Sequence, residues 1–400
     1  MKKILICTNH FQPETFRVND VAFQLAKRGY DVTVLTAIPD YPKGHYFDGY
    51  GIFRRRCETI DGVKVIRGFI IPRGKGGAVR IFLNYLSFFI SSVLISCYLG
   101  LFRKFDCVFV HETSPVMIGV PGVIVKKMCR ARLLFWVLDL WPESLQAAGG
   151  INHRGVLSMF ESLTKWIYRH SDKILISSKG FEESIVSKGD FKDKIEYFPN
   201  WADKAMDKNE ESLPPSLPKG FNVMFAGNMG EAQDFEHIME AALQLEQQPD
   251  IHFVIVGDGR KMQWVESFVS EHHLANKVLL LGRQPMEMMP SLFEQADVML
   301  MSLKEDGIFN LTVPAKLQAY MSAGKPIVAM MNGEVPRIIS DASCGYSVAA
   351  GDSNALATKI LEMSAMDKDA LIEMGRRAKS YQQEHFDIDK SIKHLEELIS

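Results

Sequence analysis

The sequence predicts an α/β protein built of two doubly wound, parallel-sheet halves, and three observations carry that prediction. The chain opens on an apolar run, an amphipathic helix and a second apolar run, the strand–helix–strand unit of a parallel sheet. A polar, Pro-rich stretch, "ADKAMDKNEESLPPSLPKG" (202–220), then interrupts the pattern. Beyond it the alternation of apolar runs and amphipathic segments starts again. At 400 residues the chain is long enough for two domains, each with its own core.

Taken in order, Lys3–Thr8 is the first strand. Val18–Lys27 places Val18, Val21, Ala22 and Leu25 at helical spacing, Gly29 stops that helix, and "YDVTVLT" (30–36) is the second strand. Further strands are read at Val63–Ile71, Cys107–His111, Leu133–Leu138 and Lys173–Ser177, with helical patterns between most of them. In the second half "FNVMFAG" (221–227), "IHFVIVGDG" (251–259), "KVLLLG" (277–282), "DVMLMSL" (297–303) and "KPIVAMM" (325–331) are strand-like. "VPAKLQAYMSAGKPIVA" (313–329) reads as a helix with Pro314 at its first position and Gly324 as its C-terminal cap, running into a buried strand. Asp389–Ile399 is a last helix with Ile392, Leu395 and Ile399 on one face. The predicted organisation is therefore a domain at 1–200, a domain at 201–375 and a closing helical segment at 376–400. Ligands of such sheets bind beyond the C-terminal strand ends, which for two facing halves means the cleft.

Composition excludes several function classes. Apolar residues at 47% and charged residues at 24% are those of an ordinary folded chain. The six cysteines (Cys7, Cys57, Cys97, Cys107, Cys129 and Cys344) form no CxxC pair and no Cys/His cluster. That argues for a reducing compartment and against a structural zinc site, and no metal is expected. "MKKILICTNHF" (1–11) shares only its charge with a signal peptide, since its apolar stretch is short and His10, Pro13 and Glu14 follow at once, so a cytoplasmic protein is expected. The net charge of −2 hides a split: residues 1–200 hold 28 Lys/Arg against 18 Asp/Glu, and residues 201–400 hold 18 against 30. "FRRR" (53–56) and "KKMCRAR" (126–132) are the basic clusters of the first half. No recognisable nucleic-acid-binding module accompanies this charge, so no nucleic acid is expected, whereas an anionic membrane surface fits it.

"RIFLNYLSFFISSVLISCYLGLFRKF" (80–105) has about the length and lack of charge of a membrane span. Spanning is disfavoured by Asn84, Ser87, Ser91, Ser92 and Ser96, and by strand-like segments of one domain on both sides of it. A sheet-covering helix buried on both sides is one reading. The preferred one packs one face on the sheet and lays the other, flanked by Arg73, Lys75, Arg80, Arg103 and Lys104, against the inner membrane surface.

Chemistry concentrates in the second half. "FAGNMGEAQD" (225–234) is a strand, a Gly-rich turn and a helix start, and Gly227 and Gly230 permit close approach of backbone to ligand. "VGDG" (256–259) and "LGR" (281–283) are glycine turns at two more strand ends, and "NLTVPAK" (310–316) adds a fourth loop at the same sheet edge. One such turn often merely closes a strand, but the four together predict a phosphate cradle. Lys316 is its natural counter-charge to a diphosphate, with a helix N-terminus beneath it.

These residues resemble those of the GT-B retaining glycosyltransferases of family 4, and most of all its WbuB-like branch, which builds bacterial surface polysaccharides. The resemblance is carried by "HFQPETFRVNDVA" (10–22), "FWVLDLWPESL" (135–145), "FPNWAD" (198–203), "FAGNMGEAQ" (225–233), "VGDG" and "VPAKLQAYMSAGKPIVA", in order along almost the whole chain. "EHFDIDKSIKHLEEL" (384–398) matches the closing helices, which in the family cross back onto the first domain. The resemblance implies two Rossmann-like domains facing a cleft. It implies metal-independent, cofactor-free transfer with retained anomeric configuration, from a nucleotide-diphosphate sugar, UDP-linked in this branch, to a lipid-linked, undecaprenyl-type saccharide. The sugar implied is a hexose or an N-acetylated amino sugar, and the products are O-antigen or capsule. It implies donor contacts from Gly227, Asn228, Met229, Gly230, Gly257, Asp258, Gly259, Arg283, Glu305, Asp306, Asn310, Leu311, Thr312, Val313, Pro314 and Lys316. Arg283 and the Gly257–Gly259 turn would lie near base and ribose.

Two departures stand out. Where many members carry two glutamates eight positions apart, this chain has Leu311 and Ala319, and Glu305 and Asp306 either replace the sugar contact or are loop-surface acids. The histidine that precedes the aspartate of the first-domain motif is here Leu138, before Asp139, so no conventional base is assigned. A front-face mechanism tolerates that, because the leaving phosphate itself accepts the acceptor's proton. Lys316, Asp139, Glu143 and Glu14 are the catalytic candidates. Glu14 also suits a plain helix-entry acid, Trp141 suits either sugar stacking or core filling, and His10 and His111 suit packing. A nucleotide-sugar epimerase of the same architecture and a two-domain binding protein of the periplasmic kind are the competing classes.

Overall fold

Apolar runs without polar alternation must be covered on both faces, and both sheets of this protein are of that kind. The computed structural model describes residues 1–149, 153–202 and 214–400, so most of the linker read at 202–220 lies outside the described residues. The described residues divide into two units, Met1–Phe198 with Asp389–Ser400, and Pro199–Ile388.

The first unit holds β1 (Lys3–Thr8), α1 (Arg17–Lys27), β2 (Asp31–Ala37), β3 (Cys57–Ile60), β4 (Val63–Gly68), α2 (Ala78–Phe102), β5 (Cys107–Glu112), α3 (Gly119–Cys129), β6 (Arg132–Val137), α4 (Glu143–Gly149), α5 (Arg154–His170), β7 (Lys173–Ile176), α6 (Phe181–Ser187) and β8 (Ile195–Tyr197). Its strand order is 3-4-2-1-5-6-7-8, parallel throughout except for β3, which pairs antiparallel with β4. That hairpin turns on Asp61-Gly62, both at positive φ (45° and 83°), the combination that a tight two-residue turn demands. The order reverses between β1 and β5, which places a topological switch point at their C-terminal ends.

The second unit holds β9 (Phe221–Ala226), α7 (Phe235–Gln244), β10 (Ile251–Val256), α8 (Met262–Glu271), β11 (Val278–Gly282), α9 (Met289–Gln295), β12 (Val298–Ser302), α10 (Gly307–Leu311), α11 (Ala315–Ser322), β13 (Ile327–Met330), α12 (Glu334–Ala342), β14 (Gly345–Val348), α13 (Ser353–Ser364) and α14 (Lys368–His385). The strands are all parallel in the order 11-10-9-12-13-14, with the switch point between β9 and β12. Alternate residues of β9 feed two cores, Val223 and Phe225 on one face, Met224 and Ala226 on the other. Within the closing segment expected at 376–400, α14 begins earlier and belongs to this unit, while α15 (Ile388–Ile399) groups with the first. There Ile392, Leu395 and Ile399 are buried, Arg28 pairs with Asp389 (3.1 Å) and Glu396 (2.9 Å), and Lys2 Nζ donates to the Ile399 carbonyl.

α2 is the one helix among the described residues that is long and apolar enough to cross a membrane, with a mean hydropathy of 1.8. Its polarity is inverted. The buried stripe is Asn84, Phe88, Ser92, Ser96, Leu99 and Gly100, whereas Val79, Phe82, Ile90, Leu94, Tyr98, Leu101 and Phe102 are exposed. Of the polar residues read as interruptions of the run, Asn84, Ser87 and Ser91 fasten the helix to its own unit. Asn84 donates to Asp40 (3.0 Å) and to the Ile71 carbonyl (2.7 Å), and Ser91 donates to the Phe69 carbonyl (2.7 Å). Gly100 admits α3, since a Cβ there would lie 2.7 Å from Met128 Sδ. A helix buried on both sides is thus excluded.

Candidate functional site

In the second unit the loops after β9, β10 and β11 are pressed together, and glycine is what allows it. Gly227 (φ +136°) donates its N–H to the Val256 carbonyl (2.8 Å), and Gly257 (φ +143°) donates to that of Gly282 (2.8 Å). A Cβ on Gly257 would lie 1.9 Å from the Gly227 carbonyl oxygen, and one on Gly259 would lie 2.4 Å from that of Met229. Gly230 N–H is held by Gln233 Oε1 (2.9 Å) and Gly259 N–H by Asp258 Oδ1 (2.7 Å). The four glycine amides are all engaged within the protein. These glycines let loop meet loop, and their own N–H groups are turned to acceptors within the protein. Met229 joins the same turns. Its side chain is fully buried in the core, while its backbone ties the turns together, accepting from Lys261 N–H (2.9 Å) and donating to the Asp258 carbonyl (2.8 Å). Gly257→Ala should cost about 3 kcal/mol or more, read as a melting temperature lower by roughly 6–12 °C.

The anion-ready feature is α11. Pro314 is its N-cap and lies one residue outside the helix expected to begin on it, with φ −64° and ψ 144°, and no side chain caps the first turn. Gly324, at φ +66°, follows the C-cap Ala323. Tyr320, one turn on, clamps the helix to the end of β9: its hydroxyl accepts from Ala226 N–H (2.8 Å) and donates to the Ala226 carbonyl (3.0 Å). Lys316 is thereby brought against Gly227, where a Cβ would lie 2.5 Å from its Cε. Its ammonium sits 3.7 Å from the centroid of the Phe225 ring. Among the described residues no carboxylate pairs with it, and burial pushes its pKa down to about 7. A preorganised cation without a carboxylate partner, at an uncapped helix start beside the switch point, has the charge and geometry that suit an anion.

The other donor candidates divide. Asn228 and Arg283 are exposed, and Asn228 Nδ2 lies close over Gly230. Glu305 accepts from Asn310 Nδ2 (3.0 Å) and from Asn332 Nδ2, which fixes its carboxylate at the end of the β12 loop. Asp306 is the N-cap of α10, accepting from Ile308 N–H (2.9 Å). Thr312 donates its hydroxyl back to the Ile308 carbonyl (2.9 Å), Val313 is buried in the core, and Leu311 closes α10.

In the first unit, the catalytic candidate Glu14 is buried and bridges two loops. One carboxylate oxygen accepts from the N–H groups of Asp40 (3.0 Å) and Tyr41 (2.7 Å), and the other meets His10 Nδ1 at 3.0 Å. Glu143 is likewise engaged, by Lys188 Nζ and by Ser184 Oγ (2.8 Å). Asp139 Oδ2 accepts from the N–H (3.1 Å) and hydroxyl (2.8 Å) of Ser114, at the end of β6 and beside the switch point. Trp141 is buried and donates Nε1–H to Ser114 Oγ (3.3 Å), so it fills the core. His111 is fully enclosed, its pKa pushed down to about 3 by burial, and it is a neutral packing residue against Thr8 (3.0 Å). Sequence reasoning overlooked Tyr320 and Phe225 in the second unit. In the first it overlooked a cluster of Asp40, Arg73 and Asn84, whose members lie far apart in the chain and show no local pattern.

Residues 15–201 match the family described as "Glycosyl transferase 4-like domain", and residues 220–365 match "Glycosyl transferases group 1". The chain is 28% identical over 278 residues to the probable glycosyltransferase WbjE of Pseudomonas aeruginosa, spanning 67% of this chain and 68% of that protein. It is 24% identical over 338 residues to the putative colanic acid biosynthesis glycosyl transferase WcaI of Escherichia coli, spanning 80% and 81%. Among solved structures, HepE of Anabaena in complex with UDP matches with a TM-score of 0.71 over 99% of both chains, at 14% identity, a likeness of fold.

Proposed function

This chain belongs to glycosyltransferase family 4, with the two α/β units of the GT-B fold, and from that premise we propose which transfer it performs. It moves a hexosyl or N-acetylhexosaminyl group from a UDP-sugar to a lipid-linked saccharide, with retention, in the assembly of a bacterial surface polysaccharide. The unpaired Lys316 ammonium is the single observation that carries this reading. As the glycosidic bond breaks, negative charge grows on the leaving diphosphate, and a fixed cation stabilises that state more than the ground state. The uncapped start of α11 adds its dipole to the same end. No base is required where the leaving phosphate takes the acceptor's proton on the front face. The hydrogen bonds from Asn310 and Asn332 that orient the Glu305 carboxylate support it as an acid contact to sugar hydroxyls.

The names of WbjE and WcaI support a polysaccharide product, and the UDP complex of HepE supports uracil as the base. The exposed apolar face of α2, flanked by Arg80, Arg103 and Lys104, supports peripheral attachment to the cytoplasmic face of the inner membrane. Neither the family matches nor these relatives support the epimerase alternative. UDP at a hundredfold excess over its Kd, without magnesium, should raise the melting temperature by about 5–10 °C. Release of UDP from a UDP-sugar should then require a lipid-linked saccharide acceptor. No shift with UDP-, GDP- or dTDP-sugars, or conversion of a UDP-sugar to its epimer without acceptor, would refute the proposal.

A further inference from the structure

Arg73 is a cation built into the first unit with almost none of its hydrogen-bonding capacity used. Its backbone is immobilised from two sides. Arg73 N–H donates to Asp40 Oδ2 (2.9 Å), and the next residue, Gly74, donates to the Gly44 carbonyl (2.8 Å). The two loops are in backbone contact, since a Cβ on Gly44 would lie 2.1 Å from the Gly74 carbonyl oxygen. The guanidinium is held between the rings of Tyr41 and Tyr85, 5.2 Å from each centroid. Of its five N–H donors, Nη2 reaches His10 Nε2 at 3.3 Å, and the buried Nε–H has no acceptor. His10 Nδ1 lies 3.0 Å from a Glu14 carboxylate oxygen, so the imidazole sits between that carboxylate and Arg73. Asp40 attracts the guanidinium through space, but neither facing carboxylate hydrogen-bonds to it. Asp40 is engaged by the Arg73 backbone and by Asn84, and Glu14 by Asp40, Tyr41 and His10. No ion pair forms with the Arg73 guanidinium among the described residues.

What surrounds this cation narrows what it binds. Tyr85, one wall of the stack, lies on the second turn of α2, and the exposed apolar residues Val79, Phe82 and Leu83 precede it on the same helix. Lys75 in the connecting segment and Arg80 in the first turn of α2 add positive charge. A planar, fork-shaped donor next to an unpartnered apolar helix face fits an anionic headgroup carrying a hydrocarbon tail. We propose that Arg73 is the recognition residue for the diphosphate of the lipid-linked acceptor, with the isoprenoid chain passing along the exposed face of α2. This rests on the transferase reading above, and it adds that the enzyme reads the phosphate–lipid junction of its acceptor as well as the saccharide.

Farnesyl diphosphate is a soluble probe of that junction. Its binding is measured by calorimetry with saturating UDP present, so that the Lys316 site is occupied. Wild-type protein should bind farnesyl diphosphate, and Arg73→Gln should weaken that binding about tenfold or more while leaving the UDP-induced melting shift unchanged. Inorganic diphosphate and farnesol should each bind at least about tenfold more weakly than the joined molecule, which separates a lipid headgroup from free phosphate. Arg73→Lys, which keeps the charge and loses the fork, should be intermediate, and it serves as the test should Arg73→Gln melt well below wild type. Equal affinity of wild type and variant for farnesyl diphosphate would overturn the assignment, as would inorganic diphosphate binding as tightly as the lipid. A missing UDP shift in the wild type would instead sink the transferase reading.

Discussion

Lys316→Met is expected to lower kcat/KM for sugar transfer by about 10²–10⁴, to abolish the UDP-induced melting shift, and to raise the melting temperature of the ligand-free protein. The three outcomes share one cause. In the ligand-free protein the ammonium has lost much of its hydration and gained only the Phe225 ring in return, and its pKa falls to about 7. A lysine whose folded pKa lies below its unfolded value destabilises the fold wherever the unfolded chain holds the proton more tightly. The cost is complete below about pH 7 and fades as pH rises towards the unfolded value near 10.5. Methionine fills similar space beside Gly227 without that penalty. The cation–π contact it forfeits is worth about 1 kcal/mol, so the net gain near pH 7 is of the order of 1–3 kcal/mol, or roughly 3–10 °C. A variant that melts lower than wild type and still binds UDP would show that Lys316 is a structural residue. Higher stability with lost binding is the signature of a strained binding group.

The sequence made the architecture readable because buried parallel strands leave continuous apolar runs, and β1, β2, β5, β6, β9, β10 and β12 are runs of that kind. The strands it did not reveal, β3, β8 and β14, lie at sheet edges and are half-exposed, so they carry no such signal. α2 was legible in length and not in orientation. Its serines and asparagine look like defects in an apolar run until Asp40 and the carbonyls of Phe69 and Ile71 are brought beneath them by the fold. The glycines are the sharpest case. Gly227, Gly257 and Gly259 announce a close approach, and a phosphate was the natural inference, but the near neighbours are the carbonyls of Gly227 and Met229 and the side chain of Lys316. A glycine records that something is near and says nothing of whether it is ligand or loop. Lys316 was legible because a lysine two residues after a proline at a helix start is a local pattern. Arg73, Tyr320 and Asp40 act through partners from other segments of the chain, beyond the reach of any local pattern.

UDP affinity should fall by about tenfold per pH unit between pH 7 and pH 9 in the wild-type protein. The sign follows from comparing the ligand-free and bound states of one group. Ligand-free, Lys316 releases its proton near pH 7. With a diphosphate beside it, the opposite charge favours the ammonium and raises that pKa well above the free value. Below pH 7 the site is already charged and binding takes up no proton. Above pH 7 each binding event must first protonate the lysine, so affinity declines until the bound-state pKa is reached. The diphosphate does not confuse this window, since phosphate groups titrate near pH 6. Calorimetry at pH 8.5 in buffers of different ionisation enthalpy should therefore report uptake of close to one proton per UDP. Proton release, or a Kd independent of pH from 7 to 9, would mean that the ammonium does not meet the diphosphate. Under the proposed transfer, the proton Lys316 gains on binding is the charge that would oppose the departing diphosphate, and such an enzyme should lose donor affinity in alkali before it loses its fold.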